Sequence, residues 1–264
     1  AMIVTALADR EQAVKHVLQS AFGHAGQKCS ATSLLVLEDE VFEDEAFRHM
    51  LVDGARSLHV GSAWDPRTRI GPLIRPPSPK LRRGLMELEE GESWALMPEP
   101  CEDNPCLYTP GIKWNVQPGS YTHQTEFFGP VLGVMKARDL DEAIEIVNDT
   151  DYGLTSGLAS LDDRERAVWL NRVQAGNLYL NRGTTGAVVL RQPFGGMKRS
   201  AFGPGIKAGG PNYVLQFMQV RHTPVETAAN LPDVMQRFAE HMQADPEVQA
   251  AWASYGEAFA AEFS

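Results

Sequence analysis

A single thiol stands in the segment Gly26-Gln27-Lys28-Cys29-Ser30, between a stretch with helical spacing and one with strand character. Such a cysteine has two readings. Buried among apolar neighbours it is an inert structural residue, the commoner fate of a lone cysteine. Exposed on a loop, with backbone N–H groups free to meet a developing oxyanion, it is a nucleophile for a carbonyl carbon. Lys28 adds a positive charge to the same loop, although sequence neighbours often point apart. A second constellation is Thr125-Glu126-Phe127-Phe128-Gly129-Pro130. A loop carboxylate ahead of aromatics can accept two hydrogen bonds from a vicinal diol. Alone it reads as a solvated loop end.

These residues need elements to hold them. Between Asp9 and His24 the apolar residues Val14, Val17, Leu18, Ala21 and Phe22 recur at helical spacing, and Gly23 and Gly26 are natural stops. The run Leu34 to Leu37 predicts a short strand buried on both faces. The spacing of Phe47, Met50, Leu51 and Leu58 predicts one helix from about Val41 to Leu58. Residues 61–80 read as loop and residues 81–120 as irregular, with a few short strands. Beyond them strands are expected at Val131 to Met135, Thr155 to Leu161 and Asn177 to Asn181. Between these strands lie two helices, opened by Asp139 with Glu142 and by Asp162 with Glu165. This alternation implies an α/β fold with right-handed crossovers and a parallel sheet. Residues 194–211 are glycine-rich, so backbone freedom or close approach matters there. The last forty or so residues are rich in Ala, Glu and Gln, with helical stretches near 229–243 and 246–260.

Bulk properties narrow the class. The 264 residues have 43% hydrophobic and 22% charged content, ordinary for a globular protein, and a formal net charge of -10. That acidity argues against nucleic acid and anionic membranes as main partners. No apolar run is long enough for a membrane span and no signal peptide is visible. Three cysteines do not make a disulfide framework, which points to a reducing, cytoplasmic setting. The seven histidines show no metal spacing with cysteine, so no metal is expected. The opening Ala-Met reads as a cloning scar.

Cys29 in "GQKCS", followed by "EFFGP" and later by "QPFGGMKRSAFGPG", resembles the aldehyde dehydrogenase superfamily over roughly residues 7–220. "NRGTTGAVVLRQPFGG" and "KAGGPNYVLQF" are similar to its glutamate-semialdehyde (Δ1-pyrroline-5-carboxylate) dehydrogenase branch, including the carboxy-terminal part of bacterial bifunctional proline-utilisation flavoproteins. The resemblance implies an α/β catalytic (cysteine) domain over 2–220, and the change in composition beyond it leaves 221–264 as a separate helical tail. It implies Cys29 as the nucleophile, forming a thiohemiacetal that becomes a thioester after hydride loss to NAD. Glu126 would hold the nicotinamide ribose hydroxyls and Phe128 would pack near the nicotinamide. Ser30, Gly186 and Ala187 would anchor the substrate carboxylate. Phe194 would line the substrate's aliphatic chain, or else serve only as core packing.

The family's Rossmann cofactor domain, which precedes the cysteine domain and carries a general-base Glu and an oxyanion Asn, is expected to be absent here. No G-x-G-x-x-G follows a strand. The isolated chain is therefore expected to bind NAD weakly or not at all and to turn over negligibly. The expected partners are a small aldehyde, the missing NAD-binding part, and a proline dehydrogenase part where the parent carries one; a homo-oligomer stays open. Two other readings stand beside this one. The domain is a non-catalytic interaction module that keeps the fold, or Cys29 serves an esterase, for which no histidine partner matches. Cys101 and Cys106 read as incidental thiols, and His123 as a loop residue.

Overall fold

In the computed structural model the described residues are 1–101, 104–188, 190–202 and 206–219, with single helical positions at 237, 240, 246 and 250. The expected tail helices otherwise lie outside the described residues. The chain divides into two compact units, Ala1–Gln216 and Phe217–Ser264, and the sheet with its helices belongs to the first.

The element order is β1 (Met2–Val4), α1 (Arg10–Phe22), β2 (Leu34–Glu38), α2 (Asp39–Phe42), α3 (Glu45–Arg56), α4 (Pro79–Met86), β3 (Ser93–Leu96), β4 (Gly111–Trp114), α5 (Tyr121–Gln124), β5 (Val131–Ala137), α6 (Leu140–Asn148), β6 (Tyr152–Gly153), β7 (Thr155–Ala159), α7 (Asp163–Arg172), β8 (Asn177–Leu180) and β9 (Met197–Lys198). Seven strands form one sheet in the order β3-β4-β5-β2-β1-β7-β8. All neighbours run parallel except β3, which turns antiparallel against β4 at one edge. The fold is thus α/β with a mostly parallel sheet, β3 being its one antiparallel strand. Strand β1 lies inside the sheet, Met2 opposite Leu35 on one side and Gly157 on the other. Met2, Ile3 and Val4 are therefore core.

Alternation along the central strands feeds two cores. Met2, Val4, Leu35 and Leu37 face α1, α3 and α4, where Phe22, Phe47, Leu51 and Leu85 are buried. Ile3, Leu34, Val36 and Met135 face α6 and α7, where Ile144 and Trp169 are buried. Each such side chain contributes roughly 1.5–3 kcal/mol by leaving water.

The single helix expected over 41–58 is two. Asp44 breaks it by capping α3, accepting a hydrogen bond from the Ala46 N–H. Part of the region read as irregular is α4, capped by Ser78 with Pro79 in its first turn. The two Asp caps form as the sequence indicates: Asp139 accepts from the Glu142 N–H and Asp162 from the Arg164 N–H. No helix among the described residues is long and apolar enough to cross a membrane.

Candidate active site

Helix α1 stops at Gly23, and the next three residues, His24, Ala25 and Gly26, all take left-handed backbone angles with φ of 56°, 53° and 67°. Two of them carry a Cβ, so the turn is strained and must be held by its surroundings. Gly26 explains part of the hold. A Cβ there would lie 2.1 Å from the Gly129 carbonyl oxygen, so the backbones of the 24–30 and 126–130 loops touch. Gln27 then ties three loops together. Its carboxamide donates to the Phe128 carbonyl at 3.1 Å and accepts from the Ile74 N–H at 3.0 Å.

Lys28 to Ala31 form a turn closed by the Ala31 N–H on the Lys28 carbonyl at 2.9 Å, with Cys29 and Ser30 in its middle. Cys29 is exposed and Ser30 is 3% exposed. Thr184, fully buried, locks the turn from behind. Its hydroxyl donates to the Ser30 carbonyl at 2.7 Å and meets the Thr32 hydroxyl at 3.0 Å, while its N–H donates to the Ser20 hydroxyl at 3.0 Å. The N–H groups of Lys28, Cys29 and Ser30 donate to no group among the described residues. That leaves these donors without a described acceptor next to the thiol in the chain.

Two clefts meet at Cys29. The first, about 260 Å³, is lined by Cys29, Glu126, Phe128, His123, Tyr152 and Thr155 among others. It lies at the amino ends of β1, β2 and β7, with Ala1, Leu34 and Thr155 in its wall. Glu126 opens to solvent on one side, while the cleft walls shield its carboxylate on the other. That partial desolvation raises its carboxyl above the ordinary value near 4.5, offset in part by Lys80 and the amino terminus. Phe128 is 38% exposed with φ 58°, so its ring is presented by a left-handed residue. Both nitrogens of buried His123 are committed, Nδ1 accepting from the Gly119 N–H and Nε2 donating to the Ile146 carbonyl. That places it as structure in the wall.

The second cleft, about 370 Å³, is lined by Cys29 and Ser30 with Ala187, Val188, Leu190 and Phe194, and by Lys28. Phe194 is fixed by its neighbours. Asn177 donates to the Pro193 carbonyl and accepts from the Gly195 N–H, each at 2.9 Å, and Phe194 pairs with Ala208 across a β-bridge. Gly186 is set slightly apart, outside the lining, with the Arg182 guanidinium 3.6 Å from where its Cβ would sit. The structure thus gathers Cys29, Ser30, Ala187 and Phe194 on one side and Cys29, Glu126 and Phe128 on the other. Gln27, Thr184 and Arg182 were not picked out by sequence reasoning. No group of three or more His, Cys, Asp or Glu among the described residues is arranged for a metal ion.

The aldehyde dehydrogenase family profile matches residues 1–223. The chain belongs to the aldehyde dehydrogenase family. Among its aldehyde dehydrogenase relatives, 1-pyrroline-5-carboxylate dehydrogenase of Bacillus subtilis is 37% identical over 217 residues, 82% of this chain and 41% of that protein. Proline Utilization A (PutA) from Corynebacterium freiburgense superimposes with a TM-score of 0.79 at 48% identity, over 90% of this chain and 24% of that one. A Thermus 1-pyrroline-5-carboxylate dehydrogenase with bound NAD gives a TM-score of 0.74 at 34% identity, over 83% and 42%. The chain therefore spans about two fifths of the dehydrogenases it matches.

Proposed function

We propose that residues 2–220 carry the thiol half of an NAD-dependent glutamate γ-semialdehyde dehydrogenase, an enzyme of proline catabolism, with 221–264 as a helical tail. The observation that supports this most is that Cys29 is the shared wall of both clefts. One cleft offers a carboxylate and an aromatic, the other an apolar slot ending in small residues.

The residues present fit the nicotinamide-ribose end of NAD. The Glu126 carboxylate can accept both hydroxyls of a vicinal diol, and Phe128 offers a flat apolar surface beside it. When bound, NAD supplies the hydride acceptor. The chain's own residues do the rest. The Cys29 thiolate adds to the aldehyde carbon, forming the C–S bond, and the free Cys29 N–H donates to the resulting oxyanion. Phe194 flanks the aliphatic chain, while Ser30, Gly186 and Ala187 offer a hydroxyl and backbone N–H groups to the far carboxylate. The setting is cytoplasmic, in keeping with three free cysteines. The 264 residues alone, spanning two fifths of the relatives, turn over aldehyde negligibly and bind NAD weakly.

Protection from alkylation tests the reading. Glutamate γ-semialdehyde should slow iodoacetamide modification of Cys29, followed by peptide mass, and leave Cys101 and Cys106 unaffected. A Cys29 that the aldehyde leaves unprotected overturns the proposal. It would favour the alternative of a non-catalytic interaction module.

A further inference from the structure

The apolar cleft beside Cys29 contains one charged residue among its lining, Lys28. Basic residues elsewhere in the described structure are mostly committed. Lys113, Lys136, Arg10, Arg83 and Arg172 have carboxylate partners, and Lys198 and Lys207 donate to backbone carbonyls. Lys28 is half-buried, and its ammonium makes no ion pair or hydrogen bond with any described residue, in a chain whose formal net charge is -10. Lys28 is thus the one charge that this otherwise uncharged lining can offer to a ligand. The N–H groups of Lys28, Cys29 and Ser30 have no acceptor among the described residues, and unpaired donors favour an anion.

We propose that Lys28 is a specificity-determining cation of this cleft, selecting chains that end in a carboxylate over neutral ones at the Cys29 thiol. This rests on the reading of Cys29 as the nucleophile and goes beyond the hydroxyl and backbone donors of Ser30, Gly186 and Ala187. Those donors can hold any oxygen. A fixed charge adds discrimination between an anion and its neutral isostere, because only the anion gains the Coulomb attraction. Arg10, paired with Asp44 and Glu40 and outside the cleft lining, is the control for a mere change in net charge.

The probes are iodoacetate and iodoacetamide, which deliver the same reacting carbon with and without a carboxylate. The rate at Cys29 is read by peptide mass on the full chain, with Cys101 and Cys106 as internal references. The ratio of the iodoacetate to the iodoacetamide rate cancels any change in the thiol itself or in its exposure. Lys28→Gln should lower that ratio at Cys29 by about fivefold, the order expected for one nearby charge at a partly screened site. Lys28→Arg should restore it, Arg10→Gln should leave it unchanged, and salt above about 0.5 M should erase the difference. A Lys28→Gln ratio equal to wild type, or a fall that Lys28→Arg does not reverse, overturns the proposal. Should neither reagent modify Cys29 while Cys101 reacts, the nucleophile reading fails first and takes this inference with it.

Discussion

Cys29 and Glu126 open onto one cleft because each stands five residues ahead of its strand, and those strands, β2 from Leu34 and β5 from Val131, are neighbours in the sheet. Parallel pairing of Leu34 with Gly133 brings both lead-in loops to the same edge. That edge is the amino end of the strands. Open α/β sheets usually bind ligands outside the carboxyl ends, where helix N-termini gather. Here the loops entering the strands are fastened to one another instead, by Gly26 against Gly129 and by Gln27 on Phe128. Rigidity at the site comes from loop-to-loop contact.

Gly26→Ala tests that contact. The new methyl has a backbone oxygen 2.1 Å away and a φ of 67° to contend with, so the two loops must part. We expect a loss of about 2 kcal/mol or more in urea unfolding. Cys29 alkylation should also lose any protection by aldehyde. Retained stability and protection would show that the loops are not mutually supporting.

Gln27→Leu removes both hydrogen bonds of the bridge and keeps the bulk. It leaves the exposed Ile74 N–H and Phe128 carbonyl to water, at a cost of about 0.5–1.5 kcal/mol in chemical unfolding. Gln27→Glu keeps the acceptor for Ile74 and loses the donor to Phe128, and so should fall between wild type and the leucine variant. If Gln27→Leu unfolds at the wild-type urea concentration, the bridge contributes nothing.

Cys29 and Glu126 stood out only through the combination of their surrounding motifs, because each alone has a commoner, inert reading. The capping aspartates were legible because a cap is local: Asp139 and Asp162 need only the N–H groups two or three residues on. What escaped was non-local. Strand β1 has three residues, too few for any periodicity, and its place inside the sheet depends on β2 and β7. The break at Asp44 hid inside a continuous apolar spacing. Helix α4 hid behind a Pro-rich lead although Ser78-Pro79 is a start signal. Gln27 and Thr184 look like any polar loop residues until the loops they span are known.

Thr184→Val removes the hydroxyl that joins the Ser30 carbonyl to Thr32. The site is fully buried, so the orphaned Ser30 carbonyl cannot turn to water. We expect a cost of about 1–3 kcal/mol in thermal or urea unfolding, with Thr184→Ser recovering most of it. Equal stability of the valine and serine variants would contradict the lock.

Beneath the Glu126 loop, Lys113 and Glu92 pair at 3.1 Å with side chains 1% and 0% exposed, and Lys113 sits 5.4 Å from the Phe127 ring. One Glu92 oxygen has no partner among the described residues. Breaking such a pair leaves a buried charge, so Lys113→Met should cost about 3–5 kcal/mol. The double variant with Glu92→Leu should recover much of that loss. A double variant no better than Lys113→Met would mean that the packing around Lys113, rather than charge, sets the cost.

Glu126 gives a pH signature of opposite sign to the usual carboxylate. Desolvation in the cleft raises its pKa above the ordinary value near 4.5, so the folded state binds that proton more tightly than the unfolded chain does. Protonation therefore favours folding. The penalty of the partly desolvated carboxylate is absent below the unfolded value, grows as pH rises through the interval up to the raised folded value, and is constant above it. Glu126→Gln, which has no charge to desolvate, should match wild type in melting temperature at acid pH and melt higher near pH 7. The same substitution removes the acceptor pair proposed for the ribose hydroxyls, so a gain in stability should accompany weaker cofactor binding in the intact enzyme. Parallel melting curves for wild type and Glu126→Gln from acid to neutral pH would mean that the carboxylate is hydrated in the cleft, and that the raised pKa is not felt in folding.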